Sequence, residues 1–269
     1  MACCEDAAVS DVAIIDNGGA NIASLRYALE RLGASSHLTS DAEELRAARR
    51  VILPGVGAAA DAMQRLQALG LVETVRTLKQ PVLGICLGMQ LFFEASDEGD
   101  TTCLGLLLAR VRRFPVRDGF PVPHMGWNQL ESIADSPLLD GIASGDRVYY
   151  VHGYAAPVGP WTLATTDYGG PFSAVVQHRN FVGTQFHPER SGPVGARLLS
   201  NFLELDRPRR ERRLGAQSLQ RELQRGDVGA AVVDDHDVAH RRILTARPCW
   251  SVSRDRGRGR HVAARDRHP

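Results

Sequence analysis

The chain has 269 residues, 43% of them hydrophobic and 23% charged, an ordinary balance for one large globular domain or a domain with an appendage. No run approaches the roughly 18 apolar residues of a membrane span, and MACCEDAAVS at the start lacks a basic-then-apolar signal segment. Cys occurs at positions 3, 4, 86, 103 and 249, with no Cys-x-x-Cys and no zinc-finger spacing, which argues against a disulfide framework and against a structural metal. A reduced, cytoplasmic protein is expected.

The net charge of +1 hides a division. Residues 206–269 hold 16 Arg, no Lys and 9 acidic residues, a balance of +7, whereas residues 1–205 stand at −6. The last part also lacks Phe, Tyr, Met and Asn, so it offers little from which to build a core. Three accounts of it compete: a disordered Arg-rich segment, an arm that binds nucleic acid, or translation past or out of the normal frame. The interspersed acids argue against the arm. The organisation expected is a loose extension over 1–10, a domain over 11–205 and a disordered, Arg-rich tail over 206–269.

Within the body, strands and helices alternate. Val12 to Ile15 is an apolar run stopped by Asp16-Asn17-Gly18-Gly19, and Ala20 to Leu32 carries Ile22, Leu25, Leu29 and Leu32 at helical spacing before Gly33. Ser40-Asp41-Ala42-Glu43 resembles a capping box with Ser40 as the cap. Val51-Ile52-Leu53 predicts a buried strand, and Ala58 to Lys79 a helix interrupted at Gly70. After Pro81, Val82 to Ile85 reads as a strand and Cys86 to about Glu94 as a helix. Strands follow closely from Leu106 to Phe186, most clearly Val148–Val151 and Phe181–Phe186, and an amphipathic helix runs from Gly192 to Leu205. The fold class expected is α/β: an open, mostly parallel or mixed sheet with helices on both faces.

In such a sheet, ligands bind beyond the carboxyl ends of the strands. Cys86 follows a strand directly and stands between Gly84 and Gly88, the context of a nucleophile elbow. The alternative is a small buried core Cys. His187 lies 101 residues further on, also just past a strand, with Pro188 to stiffen the turn and Glu189 to hold the imidazole. Nucleophile, base and orienting carboxylate are the parts of covalent catalysis, though read alone His187 is a satisfied turn histidine and Glu189 a solvated surface acid. Pro54-Gly55-Val56-Gly57 supplies backbone N–H groups that, with that of Leu87, suit a tetrahedral oxyanion; the segment is otherwise a Gly-rich strand-to-helix turn.

Leu83-Gly84-Ile85-Cys86-Leu87-Gly88-Met89-Gln90 together with Gln185-Phe186-His187-Pro188-Glu189 resembles the class I glutamine amidotransferases. Asp16-Asn17-Gly18-Gly19-Ala20-Asn21, Pro123-His124-Met125-Gly126-Trp127-Asn128, Tyr150-Val151-His152-Gly153-Tyr154 and His187-Pro188-Glu189-Arg190-Ser191-Gly192 are similar to one branch of that family, the glutaminase subunits of imidazole glycerol phosphate synthases. The resemblance runs from about Asp11 to Leu205. It implies glutamine as substrate, Cys86, His187 and Glu189 as a catalytic triad, an oxyanion hole from backbone at Val56, Gly57 and Leu87, and Gly55, Gln90 and Ser191 beside the substrate. It also implies a (β/α)8-barrel cyclase as heterodimer partner, ammonia channelled to it for histidine biosynthesis, Gly126-Trp127-Asn128 near the interface, and no cofactor or metal. Without the resemblance, Gly126-Trp127-Asn128 would read as a strand with a buried Trp. Two departures stand out: Gly153 where a small polar residue is expected, and residues 206–269, to which no member of the branch corresponds.

Overall fold

Strand β1 (Val12–Ile15) sends Val12 and Ile14 to one face of a central sheet and Ala13 and Ile15 to the other. Both faces are covered by helices, so successive side chains are all buried and the strand reads as an unbroken apolar run. The computed structural model describes residues 11–18 and 22–205. Expectations for residues 1–10, for Ala20 and for residues 206–269 lie outside them.

The elements that follow are α1 (Ile22–Arg31), β2 (Ser36–Thr39), α2 (Ala42–Ala47), β3 (Arg50–Gly55), α3 (Ala59–Ala68), α4 (Val72–Thr77), β4 (Val82–Cys86), α5 (Leu87–Gln90) and β5 (Phe93–Ser96). Then come β6 (Thr101–Thr102), β7 (Leu107–Arg113), β8 (His124–Gln129), β9 (Arg147–His152), β10 (Tyr154–Ala155), β11 (Thr162–Asp167), β12 (Pro171–His178), β13 (Phe181–Thr184) and α6 (Gly192–Leu203). The main sheet has seven strands in the order β11-β12-β13-β4-β3-β1-β2. Strands β13, β4, β3, β1 and β2 are mutually parallel, and β12 and β11 add an antiparallel edge. Leu25 and Leu29 of α1 and Leu198, Leu199 and Phe202 of α6 fill one face. Ala62, Met63 and Leu66 of α3 and Val75 of α4 fill the other. The expected open, mixed sheet with helices on both faces is what forms, and among the described residues no helix is long and apolar enough to cross a membrane.

Two local expectations are corrected. The cap of α2 is Asp41, not Ser40: its Oδ1 accepts from Glu43 N at 2.8 Å and Glu44 N at 2.9 Å. A carboxylate one residue nearer the helix reaches two of the N–H groups left without helical partners, and its charge suits that end of the dipole. The helix after Cys86 stops at Gln90 rather than Glu94, because Phe93 enters β5 and pairs with Leu107 of β7. Phe93 buries its ring against Trp161, 5.6 Å away, so tertiary packing overrides the local helical pattern. The interruption expected at Gly70 is where the stretch over 58–79 divides into α3 and α4, with Gly70 at φ +68°.

Candidate active site

Because β3, β4 and β13 are parallel, their carboxyl ends meet at one edge of the sheet. Gly55 ends β3, Cys86 ends β4, and His187 follows β13 by three residues. A cavity of about 260 Å³ opens there, lined by Gly55, Val56, Gly57, Cys86, Leu87, Gln90, His187 and Glu189, with Glu98, His152, Gly153, Tyr154 and Arg190 among its other walls. The structure therefore gathers eight of the nine site residues expected from sequence. Ser191 is the exception. It is buried beneath the loop and is not among the cavity's lining residues; its hydroxyl donates to His187 O at 2.7 Å and accepts from Tyr149 N at 3.0 Å. A hydroxyl directed at backbone shapes the turn instead of touching a ligand.

Cys86 takes φ +52° and ψ −110°, a region L-residues avoid, held by the packing around it. The one-turn helix behind it lies against β3 so closely that a Cβ at Gly88 would overlap the Leu53 carbonyl oxygen. Gly88→Ala is therefore expected to push α5 off β3, costing about 1–3 kcal/mol of stability and displacing Cys86 and the Leu87 N–H together. Any turnover that depends on the Cys86 sulfur should fall at least ~100-fold. Near-normal turnover with an unchanged unfolding temperature would contradict this packing argument.

His187 Nδ1 lies 2.9 Å from Glu189 Oε1, both side chains being nearly buried. Burial alone would lower the basicity of the imidazole, but the Cys86 sulfur and the Glu189 carboxylate outweigh it and hold its pKa well above the usual 6.5. A buried, unusually basic imidazole beside the Cys86 sulfur is the arrangement that suits an activated cysteine nucleophile. At the cavity wall, Gly57 adopts φ +90°, open to glycine and strained for other residues, while Val56 is partly exposed. The segment ahead of them is anchored, since buried Asn17 donates from Nδ2 to Pro54 O at 3.0 Å and Arg65 donates to Asn17 O at 3.0 Å.

Glu98, Gln185 and His152 were given no role at the site from sequence. Glu98 brings a carboxylate to the cavity; one of its oxygens accepts from Ala59 N at 2.8 Å, and burial pushes its pKa up. Gln90 donates both to Tyr154 O at 2.8 Å and to Gln185 Oε1 at 3.0 Å, leaving its oxygen to offer a ligand. His152 donates from Nδ1 to the same Tyr154 carbonyl at 2.8 Å, which makes its Nε2 the acceptor for His124 Nδ1 at 3.1 Å. Burial lowers these two histidines to about 3 and about 4, so both are neutral at pH 7. Alternation along β9 was the available signal, since His152 shares a side with buried Tyr150. On β8, next to this pair, Met125 and Trp127 are 62% and 49% exposed, so the reading of a buried Trp does not hold. Gly153 has room for a small side chain, its nearest neighbour being Val122 Cγ1 at 3.6 Å from where a Cβ would stand.

The sequence model of the family described as glutamine amidotransferase class-I matches residues 13–205. The chain belongs to the class-I glutamine amidotransferases. This class-I glutamine amidotransferase is 58% identical over 200 residues to the imidazole glycerol phosphate synthase subunit HisH of Xanthomonas axonopodis pv. citri, spanning 74% of this chain and 100% of that relative. It is 54% identical over 198 residues to HisH of Xylella fastidiosa strain Temecula1, spanning 74% of this chain and 99% of that one. A crystal structure of a glutamine amidotransferase superposes with TM-score 0.57 at 21% identity, covering 72% of this chain and 98% of the other. PurLQS from Thermotoga maritima superposes with TM-score 0.52 at 19% identity, covering 72% and 97%. These two structural likenesses concern the fold of the amidotransferase alone.

Proposed function

We propose that this amidotransferase is the glutaminase subunit of an imidazole glycerol phosphate synthase, with Cys86, His187 and Glu189 as its triad. The observation that carries the reading is the convergence of these three side chains on one cavity at the sheet edge. The branch is argued from the HisH relatives, whose whole length the chain matches.

The Cys86 thiolate attacks the side-chain carboxamide carbon of glutamine, forming a C–S bond as the carbonyl electron pair moves onto oxygen. N–H groups of Leu87 and of the Val56–Gly57 segment receive that oxyanion. The His187 imidazolium gives its proton to the amide nitrogen, the C–N bond breaks and ammonia leaves a glutamyl thioester. His187 then takes a proton from water, hydroxide adds to the thioester carbon, and the C–S bond breaks to return the thiolate and release glutamate. Glu189 holds the imidazole and balances its charge. Gln90 and the Gly55 backbone flank the substrate, and the Glu98 carboxylate suits its α-ammonium.

Ammonia passes to a (β/α)8-barrel cyclase that forms imidazole glycerol phosphate and AICAR in histidine biosynthesis, in a cytoplasmic heterodimer. The exposed Met125 and Trp127 form part of the surface offered to that partner. The functional unit is residues 11–205, with residues 206–269 contributing no catalytic part. The test is co-expression with a barrel cyclase, followed by size-exclusion chromatography and a glutamate-release assay on the complex. Co-elution with glutamine turnover, unchanged when the chain is ended at Leu205, is expected. A complex that forms but releases no glutamate would leave a non-catalytic interaction subunit in place of the enzyme.

A further inference from the structure

Gln185 is fully buried between two groups of the site. Its Oε1 accepts from Gln90 Nε2 at 3.0 Å, and its Nε2 donates to Cys86 Sγ at 3.7 Å, within hydrogen-bond range for sulfur. The Cys86 sulfur has a second backbone neighbour, Val151 O, at 3.8 Å. These two contacts act in opposite senses. A carbonyl can only accept, so Val151 O favours a thiol that keeps its proton. An amide N–H can only donate, and it is worth about twice as much to an anion as to a neutral acceptor. With no water to replace it, a buried donor left without an acceptor is costly. The acceptor roles also settle which way this carboxamide points, since its oxygen is committed to Gln90, whose own N–H groups are both in use.

We infer that Gln185 is a positioning residue for the nucleophile: its carboxamide braces the Cys86 sulfur from the buried interior, supports it as thiolate, and ties it to the substrate-binding amide of Gln90. The inference rests on the reading of Cys86 as nucleophile. It assigns Gln185 a part separate from the triad, since Gln185 neither exchanges a proton with substrate nor lines the cavity. Through Gln90 and Tyr154 O, the brace also joins the sulfur to the carbonyl that receives His152. The other titratable and charged groups around the sulfur are His187, Glu189 and Arg190 from the loop after β13, His152 and Tyr154 from β9 and β10, and Glu98 from the loop after β5.

The test uses the full chain and the variants Gln185→Met, which keeps volume without a donor, and Gln185→Glu, which keeps an oxygen towards Gln90 and replaces the donor with a second one. Alkylation of Cys86 by iodoacetamide is followed across pH by site-resolved mass spectrometry. Cys103 gives little background, because it is buried and burial pushes its thiol up to about 11. Gln185→Met should move the pH midpoint of Cys86 alkylation upward by about one unit and lower kcat for glutamine ~10- to 100-fold, with KM changed less than about 3-fold. Gln185→Glu should lower kcat further. If Gln185→Met fails to fold, Gln185→Glu alone decides by the same midpoint. An unchanged midpoint with a raised KM, as expected of Gln90→Met, would overturn the inference and leave Gln185 as a support for Gln90 only. Glutamine turnover surviving complete alkylation of Cys86 in the unaltered chain would instead refute the nucleophile reading, whatever the Gln185 variants do.

Discussion

Cys86→Ala is expected to abolish glutamine-dependent synthesis by the complex, by roughly 10⁴-fold or more, while leaving synthesis from added ammonium salts. The reason lies in what the sulfur does. On the proposed mechanism it forms the covalent bond to glutamine, and among the described residues lining the cavity no other thiol or hydroxymethyl side chain stands at the end of β4. Ammonia supplied in solution bypasses that step and needs only an intact partner. Alanine at 86 removes the sulfur but keeps a side chain at a position whose positive φ the fold already imposes, so assembly should survive. The measurement is product formation from glutamine and from ammonium chloride by the same purified complex. Loss of both activities at normal complex formation would sink the assignment of Cys86. Retention of both would show that the nucleophile lies elsewhere.

The second large effect concerns coupling between subunits. The chain alone is expected to release glutamate slowly, and a cyclase loaded with its nucleotide ligand to accelerate it by about 100- to 1,000-fold, the typical worth of one oxyanion donor. The segment argued to carry this switch is Gly55-Val56-Gly57. Asn17 holds the Pro54 carbonyl ahead of it, Gly57 already sits at positive φ, and the Val56 side chain is partly in solvent. Rotation of the intervening peptide would exchange a carbonyl for an N–H towards the oxyanion at low steric cost, since the space around a Cβ at Gly57 is empty. A partner can bias that rotation only if it contacts the two states differently. Glutamate release by the chain alone, with cyclase, and with cyclase plus ligand is the comparison that checks it. Equal rates in all three would mean a stand-alone hydrolase.

Much of this was legible before any coordinates. The apolar runs at 12–15, 51–53 and 82–85 announce buried parallel strands because both faces of the sheet are covered, and a doubly covered strand tolerates no polar alternation. The positions of Cys86 and His187 just past such runs announce the site, because parallel strands end on a common edge. The structure altered what depended on partners distant in the chain. Phe93 abandons its helical pattern to pair with Leu107, and Ser191 donates to the His187 carbonyl instead of lining the cavity. Gln185 touches a sulfur 99 positions earlier in the chain, and Gln90 reaches Tyr154 across 64. Periodicity suffices to place the apolar strands and their helices, and the chemistry of single side chains suffices to nominate Cys86, His187 and Glu189 as the reacting groups of the proposed mechanism. Which buried amides, carbonyls and imidazoles satisfy one another around Cys86 is set by the folded chain. A hydrogen bond depends on distance and direction in space, and neither is written in the separation of two residues along a chain.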